Sequence, residues 1–358
     1  MPRSSATPLR SYRLAKLFFL LSGEHETLPV SEIKAILEAE GYPYKISEEL
    51  DQVLRIEADP KCIEAVKRRA AFTKLCGLEL FACEADLSQA LKALKSININ
   101  GILDEGESFA VRIKHVKNYA PELDSMVLER KIGECVLQMR KNAKVNLKNP
   151  DKTFLGVLTE NRLVFGLKTA EIPSKPFVER RPRKKPFFHP SAMPPKLARV
   201  MVNLARAKAG ELVFDPFCGT GGILIEAALM GCRVLGMDAQ RRMVRGCKLN
   251  FAYCGVSPEG LMVADACKPP VTKVDCVIAD PPYGRSATTL RRSTRNIIED
   301  FLMAAKDILV SGKRVCIAAP KTIEVSRIGV AKGYKHIESH YVYVHRSLTR
   351  EIAVLECV

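Results

Sequence analysis

Residues 211–231 hold the second half of the chain to one kind of architecture. Glu211-Leu212-Val213-Phe214 is a short apolar strand, Asp215-Pro216-Phe217-Cys218-Gly219-Thr220-Gly221-Gly222 a glycine-rich turn, and Ile223 to Met230 a stretch of helical composition that stops at Gly231. Strand, glycine turn and helix in that order make the nucleotide-binding unit of an open α/β sheet. Glycine is required because only a residue without Cβ lets the chain turn tightly and a ligand lie against the backbone. Two phosphate-binding patterns are excluded. There is no Gly-Lys-Ser/Thr, and Leu224 stands where a dinucleotide fingerprint needs its third Gly or Ala. Asp215 opens the turn, and a carboxylate there suits a positively charged ligand better than a pyrophosphate. S-adenosylmethionine, with its ammonium and sulfonium groups, carries that charge.

Three further strands end in acids. Arg233 to Asp238 places a carboxylate about twenty residues beyond the glycine turn, the spacing that reaches the ribose hydroxyls of a nucleoside. Leu261 to Asp265 places another where it can accept from an adenine amino group, and Val274 to Ala279 delivers Asp280-Pro281-Pro282-Tyr283-Gly284. An exocyclic amine on a nucleobase is a poor nucleophile because its lone pair is delocalised into the ring. The Asp280 carboxylate and the Pro281 carbonyl can both accept from such an amine and draw the lone pair out of conjugation. Pro281 and Pro282 stiffen the backbone that carries these acceptors. Tyr283 offers a flat face to an extruded base, worth roughly 1–3 kcal/mol per base, which offsets part of the unstacking. A cysteine in place of Tyr283 would point to carbon methylation, so this run points to nitrogen.

With these motifs the chain resembles the class I, Rossmann-like methyltransferases that modify base amino groups. More closely it resembles the archaeal THUMP-containing tRNA guanine-N2 methyltransferases acting at position 10. The finer likeness rests on Asn203-Leu204-Ala205, Asp215 to Gly222, Asp280 to Gly284 and His345-Arg346-Ser347-Leu348-Thr349-Arg350. It implies a seven-stranded sheet whose last strand inserts antiparallel, with S-adenosylmethionine as cofactor and tRNA as partner. The expected cofactor-binding residues are Asp215, Phe217, Cys218, Gly219, Thr220, Gly221, Asp238, Ala239, Asp265 and Ala266; the expected catalytic residues are Asp280, Pro281, Pro282 and Tyr283. Dimethylation follows from the resemblance alone. Three alternatives stay open: N2 methylation of another guanosine in tRNA or rRNA, N6 methylation of adenine in DNA, and an RNA-binding scaffold with an inactive methyltransferase fold.

A length of 358 residues suggests more than one domain, and Lys plus Arg outnumber Asp plus Glu by 56 to 40, a net charge of +16. Such an excess is the footprint of a polyanionic partner. The twelve cysteines contain no Cys-x-x-Cys and lie mostly in apolar segments, as expected of small buried residues in a reducing compartment. No metal site is expected. Leu17 to Leu21 is too short to cross a bilayer, and the protein is expected to be cytoplasmic and monomeric.

In chain order, strand, helix, strand and helix over 1–75 suggest a ferredoxin-like domain. Residues 76–168 form a THUMP-like RNA-binding domain, with a long helix from Asp124 to Lys141, a hairpin around Glu160-Asn161, and Lys141, Lys144 and Lys148 as candidate RNA contacts. Residues 169–195 make an extended, basic, proline-rich linker. Its Arg180, Arg181, Arg183, Lys184 and Lys185 are further candidates. The methyltransferase domain occupies 196–358. Within it Gly284 to Arg295 reads as a lid that carries Arg285, and Arg346 or Arg350 as a phosphate contact near the site.

Overall fold

The computed structural model describes residues 14–283 and 293–358. They divide into two compact units. One is built from the segments up to Gly23, Tyr42–Lys67 and Thr73–Glu171, the other from Glu24–Gly41, Arg68–Phe72 and Ile172–Val358. Helix α1 (Leu28–Glu40) therefore belongs to the second unit.

The strands of the first unit are β1 (Ala15–Leu21), β2 (Tyr44–Leu50), β3 (Val53–Ala58), β4 (Thr73–Glu84), β5 (Ser108–His115), β6 (Lys144–Val145), β7 (Lys152–Thr159) and β8 (Arg162–Glu171). They form one sheet in the order β2-β3-β1-β4-β8-β7-β5-β6. Leu17, Phe18 and Phe19 of β1 are wholly buried, as an unbroken apolar run demands of a central strand. β4 pairs antiparallel with β1 on one side and β8 on the other. The expected boundary at 75/76 falls inside β4, so the two segments expected to be separate domains share a single sheet. β4 gives no clean strand signal because Lys74, Gly77 and Glu79 break its apolar run.

Helices α2 (Cys62–Arg69), α3 (Leu87–Lys95) and α4 (Ser125–Met139) follow in the chain. Asp124 caps α4 by accepting from the Val127 N–H at 2.9 Å. α4 ends at Met139, so Lys141 lies past it rather than on its face. Lys144 sits on β6, and Lys148 in a turn where Asn146 Oδ1 accepts from the Lys148 and Asn149 N–H groups. All three lysines are exposed.

The second unit carries α5 (Lys175–Glu179), α6 (Pro195–Leu204), β9 (Leu212–Asp215), α7 (Gly222–Ala228), β10 (Arg233–Asp238), α8 (Arg241–Tyr253), β11 (Gly260–Val263), β12 (Val274–Ala279), α9 (Thr294–Ile308), β13 (Leu309–Pro320), α10 (Val325–Ala331), β14 (Tyr334–His345) and β15 (Leu348–Cys357). Its seven strands run β11-β10-β9-β12-β13-β15-β14, and β15 inserts antiparallel between β13 and β14. Successive residues serve opposite faces. Val213, Ile278 and Ala318 join the core with α1, α6 and α7, while Phe214, Val277 and Ile317 join the core with α9 and α10. This two-sided burial explains why these strands read as continuous apolar runs.

α1 is tied into this unit by a buried polar cluster. The Glu32 carboxylate accepts from the Ala71 and Phe72 N–H groups, both at 2.9 Å, and from Asn203 Nδ2 at 2.8 Å. Arg69 donates to Asn203 Oδ1 at 3.2 Å and to the Ala207 carbonyl at 2.7 Å. Asn203 thus has its structural reason here.

The segment expected to be an extended linker is instead partly helical and attached to the catalytic sheet. Arg180 makes a two-pronged bond to Glu226 at 2.7 and 3.0 Å, and Arg199 reaches the same carboxylate at 2.8 Å. The Phe187 N–H and C=O are both satisfied by the side-chain amide of Asn250. Lys185 is 7% exposed. Arg180 and Lys185 are therefore structural, not the solvent-facing RNA contacts that their charge suggested. Arg181, Arg183 and Lys184 are exposed. Among the described residues all twelve cysteines are free, no His/Cys/Asp/Glu group could hold a metal, and no helix is long and apolar enough to cross a membrane.

Candidate active site

At the carboxyl ends of β9, β10, β11 and β12 a cavity of about 210 Å³ opens. This is the place where the order of an open α/β sheet reverses and where ligands bind. It is lined by Asp215, Phe217, Cys218, Gly219, Thr220, Asp238, Ala239, Asp265, Ala266, Asp280, Pro281, Pro282 and Tyr283. Gly221 is not among the lining residues. It starts α7 in a left-handed conformation, φ 83°, and a Cβ there would come within 2.7 Å of the Cys247 sulfur, so its glycine serves packing. Arg285, and most of the segment expected to be a lid, lie outside the described residues.

The turn is held from β10. Asp238 Oδ2 accepts from the Gly219 N–H at 3.1 Å and Oδ1 from the Gln240 N–H at 2.8 Å, while the Met237 carbonyl accepts from the Cys218 N–H at 2.8 Å. Asp238 therefore shapes the cradle as well as facing it. Each of its oxygens keeps a second lone pair for a ligand hydroxyl. The Cys218 thiol, held against Cys247 and buried, is pushed well above the ordinary thiol range, which leaves it a packing residue.

Burial pushes the Asp215 carboxyl well above the usual range, and the charges of Asp280 and Asp238 push it the same way. Asp280 is raised too, chiefly by burial, against the pull of Arg350, whose guanidinium lies 3.7 Å from Oδ2. Arg350 also stands 5.3 Å above the centre of the Tyr283 ring. Among the described residues no hydrogen bond of good geometry reaches Asp280 Oδ1, the Tyr283 hydroxyl or Arg350 Nε, although Tyr283 lies close enough to Asp280 and Arg350 for the three to act on one another. Closely spaced carboxylates with one balancing arginine favour a cationic occupant, and the loosely paired Asp280 and Tyr283 side chains leave hydrogen-bonding capacity for a second polar ligand. Both features fit S-adenosylmethionine and a nucleobase.

Arg350 thus lines the cavity beside Asp280, and Arg346 is exposed at the β14–β15 turn. Sequence reasoning did not find His189, Ser191, Ala192, Met193, Gln240, Met243 and Ile297, which also line the cavity. The first four come from the proline-rich segment. Their one local signal is the change from the charged run Arg180 to Lys185 to the small and apolar residues around Ala192.

Comparison with known proteins bears on the family and the fold. A family model described as an RMKL-like methyltransferase domain matches residues 182–352, and a DNA methylase model matches 103–248, ending before Asp280. A tRNA (guanine(10)-N2)-dimethyltransferase of Methanothermobacter thermautotrophicus is 36% identical over 345 residues, covering 96% of this chain and 100% of the relative. The crystal structure of TrmN from Thermus thermophilus, 21% identical, superimposes with a TM-score of 0.55 over 96% of this chain and 100% of that one. A methyltransferase complexed with SAH, SMU.472, is 13% identical with a TM-score of 0.53, covering 96% and 98%. These structural likenesses carry the fold, and the full-length sequence relationship carries the family: the chain belongs to the tRNA (guanine(10)-N2)-dimethyltransferases, enzymes of the class I, S-adenosylmethionine-dependent kind.

Proposed function

We propose that this protein transfers one or two methyl groups from S-adenosylmethionine to the exocyclic N2 of guanosine 10 in tRNA. The observation that carries the reading is that Asp280 lines the same cavity as the carboxylate cluster at the strand ends, in a chain of this family. When bound, S-adenosylmethionine supplies an electrophilic methyl group on a sulfonium. Asp238 and Asp265 hold its ribose and adenine, and Asp215 faces its positive charge. The target base, taken out of its stack, lies on Tyr283 with its amine between Asp280 Oδ1 and the Pro281 carbonyl. These acceptors localise the lone pair, and the carboxylate stabilises the positive charge that develops on nitrogen. In the first unit the THUMP-like segment grips tRNA through Lys141, Lys144 and Lys148.

The test is transfer from labelled S-adenosylmethionine to unmodified tRNA transcripts, read as nucleosides by mass spectrometry. N2-methylated guanosine that vanishes when guanosine 10 is replaced supports the reading; N6-methyladenosine would overturn the substrate.

Arg350 is a positioning residue in this scheme. Burial raises the Asp280 carboxyl and Arg350 holds it back, so removing that charge lets it rise further. The carboxylate is the working form. Its loss as pH falls therefore begins at a higher pH in Arg350→Met, and the acidic limb of the kcat/KM profile moves to more alkaline values. The rate at a pH on that limb falls with it, as less of Asp280 is in the carboxylate form. Arg350→Lys restores part of both. An unmoved acidic limb in Arg350→Met would show that Arg350 is not electrostatically linked to Asp280.

A further inference from the structure

Residues Phe188 to Pro194 form a wall with two working sides. His189, Ser191 and Met193 face the cofactor cavity; Phe188, Pro190 and Pro194 face a second hollow of about 780 Å³; Ala192 touches both. A turn closed by the Ala192 N–H on the His189 carbonyl at 3.0 Å presents these side chains to the two sides. The second hollow is floored by Phe177 and Val178 and rimmed by Arg181 and Arg183. Phe188 is 42% exposed, and the Arg183 guanidinium lies 5.8 Å from the centre of its ring. The acid in the hollow, Glu24, is already paired with Lys196. Among the described residues no hydrogen bond or ion pair engages the side chains of Arg181 and Arg183. Proline at 182, 190, 194 and 195 stiffens the walls.

An exposed aromatic ring flanked by exposed arginines is the chemistry that receives a nucleobase and its phosphate. Its size lies within the range of small-molecule pockets of roughly 300–1,000 Å³. Ala192 lines both cavities, so this one segment is what separates the hollow from the catalytic cavity. The nucleotide adjoining a base in the catalytic cavity is therefore the one within reach of this hollow.

We propose that the hollow is a single-nucleotide subsite that receives the nucleotide adjoining the methylated guanosine, stacked on Phe188 with its phosphate between Arg181 and Arg183. The proposal rests on the tRNA methyltransferase reading above, with RNA as the occupant because the rim is cationic and the hollow adjoins the catalytic cavity. It gives the exposed arginines of the proline-rich segment a defined partner. The subsite holds the strand while the target base is out of its stack.

The test uses the full-length enzyme and an unmodified tRNA transcript. Phe188→Ala is expected to raise KM for tRNA about tenfold, the loss of one base stack, with kcat at saturating tRNA and the calorimetric Kd for S-adenosylmethionine unchanged. Phe188→Trp is expected to stay close to wild type, since it keeps the stacking face. Arg183→Gln is expected to raise KM and to flatten the dependence of tRNA affinity on salt by about one unit of log–log slope. A photoreactive benzoylphenylalanine at position 188 is expected to crosslink to a nucleotide directly next to the methylated guanosine. The proposal falls if Phe188→Ala leaves KM unchanged, if it weakens S-adenosylmethionine binding instead, or if the crosslink maps elsewhere. Wild-type enzyme that makes no N2-methylguanosine would overturn the function itself, which separates that failure from failure of the subsite.

Discussion

Asp280→Asn is expected to lower kcat for methyl transfer by at least about 10²–10³-fold while leaving calorimetric affinity for S-adenosylmethionine near that of the wild type. The substitution keeps the shape of the side chain and removes its charge. Two functions are lost together: the anion that stabilises positive charge on the attacking nitrogen, and the partner of the Arg350 guanidinium at 3.7 Å. The amide oxygen still accepts a hydrogen bond, so the residual rate measures how much of the effect is charge. Asp238→Ala is the reciprocal case. It removes a carboxylate that braces Gly219 and Gln240, so it weakens cofactor binding by roughly 10–100-fold, the scale of hydrogen bonds to a charged group. Its effect on turnover at saturating cofactor is smaller. An Asp280→Asn enzyme retaining more than about a tenth of the wild-type rate would contradict the assigned role, because an electrostatic contribution of this kind is larger than that.

The second large effect falls on stability. Glu226 is 2% exposed and receives Arg180 through two hydrogen bonds and Arg199 through an ion pair at 2.8 Å. Truncation to alanine strands two guanidinium groups, one of them on a residue only 5% exposed. Breaking a buried charge cluster from one side costs about 3–5 kcal/mol, because the remaining charge is left without compensation. With about 2–4 °C per kcal/mol for a unit of this size, Glu226→Ala is expected to lower the melting temperature of the catalytic unit by roughly 6–20 °C. A shift below about 2 °C would mean that Arg180 and Arg199 are satisfied elsewhere, and would reopen Arg180 as an RNA contact.

The cofactor cradle was legible because it is local. Strand, turn and helix lie within residues 211–231, and Asp238, Asp265 and Asp280 each follow their own apolar strand. Arg350 was less legible, since its meeting with Asp280 depends on β15 inserting beside β13, where Arg350 pairs with Pro320. Nothing near residue 350 announces that register. Charge misled in the opposite direction for Arg180, whose partner Glu226 is 46 residues away, and for Lys185, which is buried despite sitting in a basic run. Composition reports how much positive charge a segment carries; only packing shows which of those charges remain available to a polyanion.

The division of the chain into interleaved segments has a consequence for how this protein is made. Asn203 is bonded by Glu32 and Arg69, so the catalytic sheet is completed by residues synthesised long before it. Those early residues, Glu24–Gly41 and Arg68–Phe72, cannot reach their final partners until the rest of that unit has left the ribosome. A gene fragment beginning at residue 172 encodes an unfinished object, with Asn203 stripped of both partners. The catalytic half is therefore not a portable cassette: a swap between relatives must carry its N-terminal pieces with it.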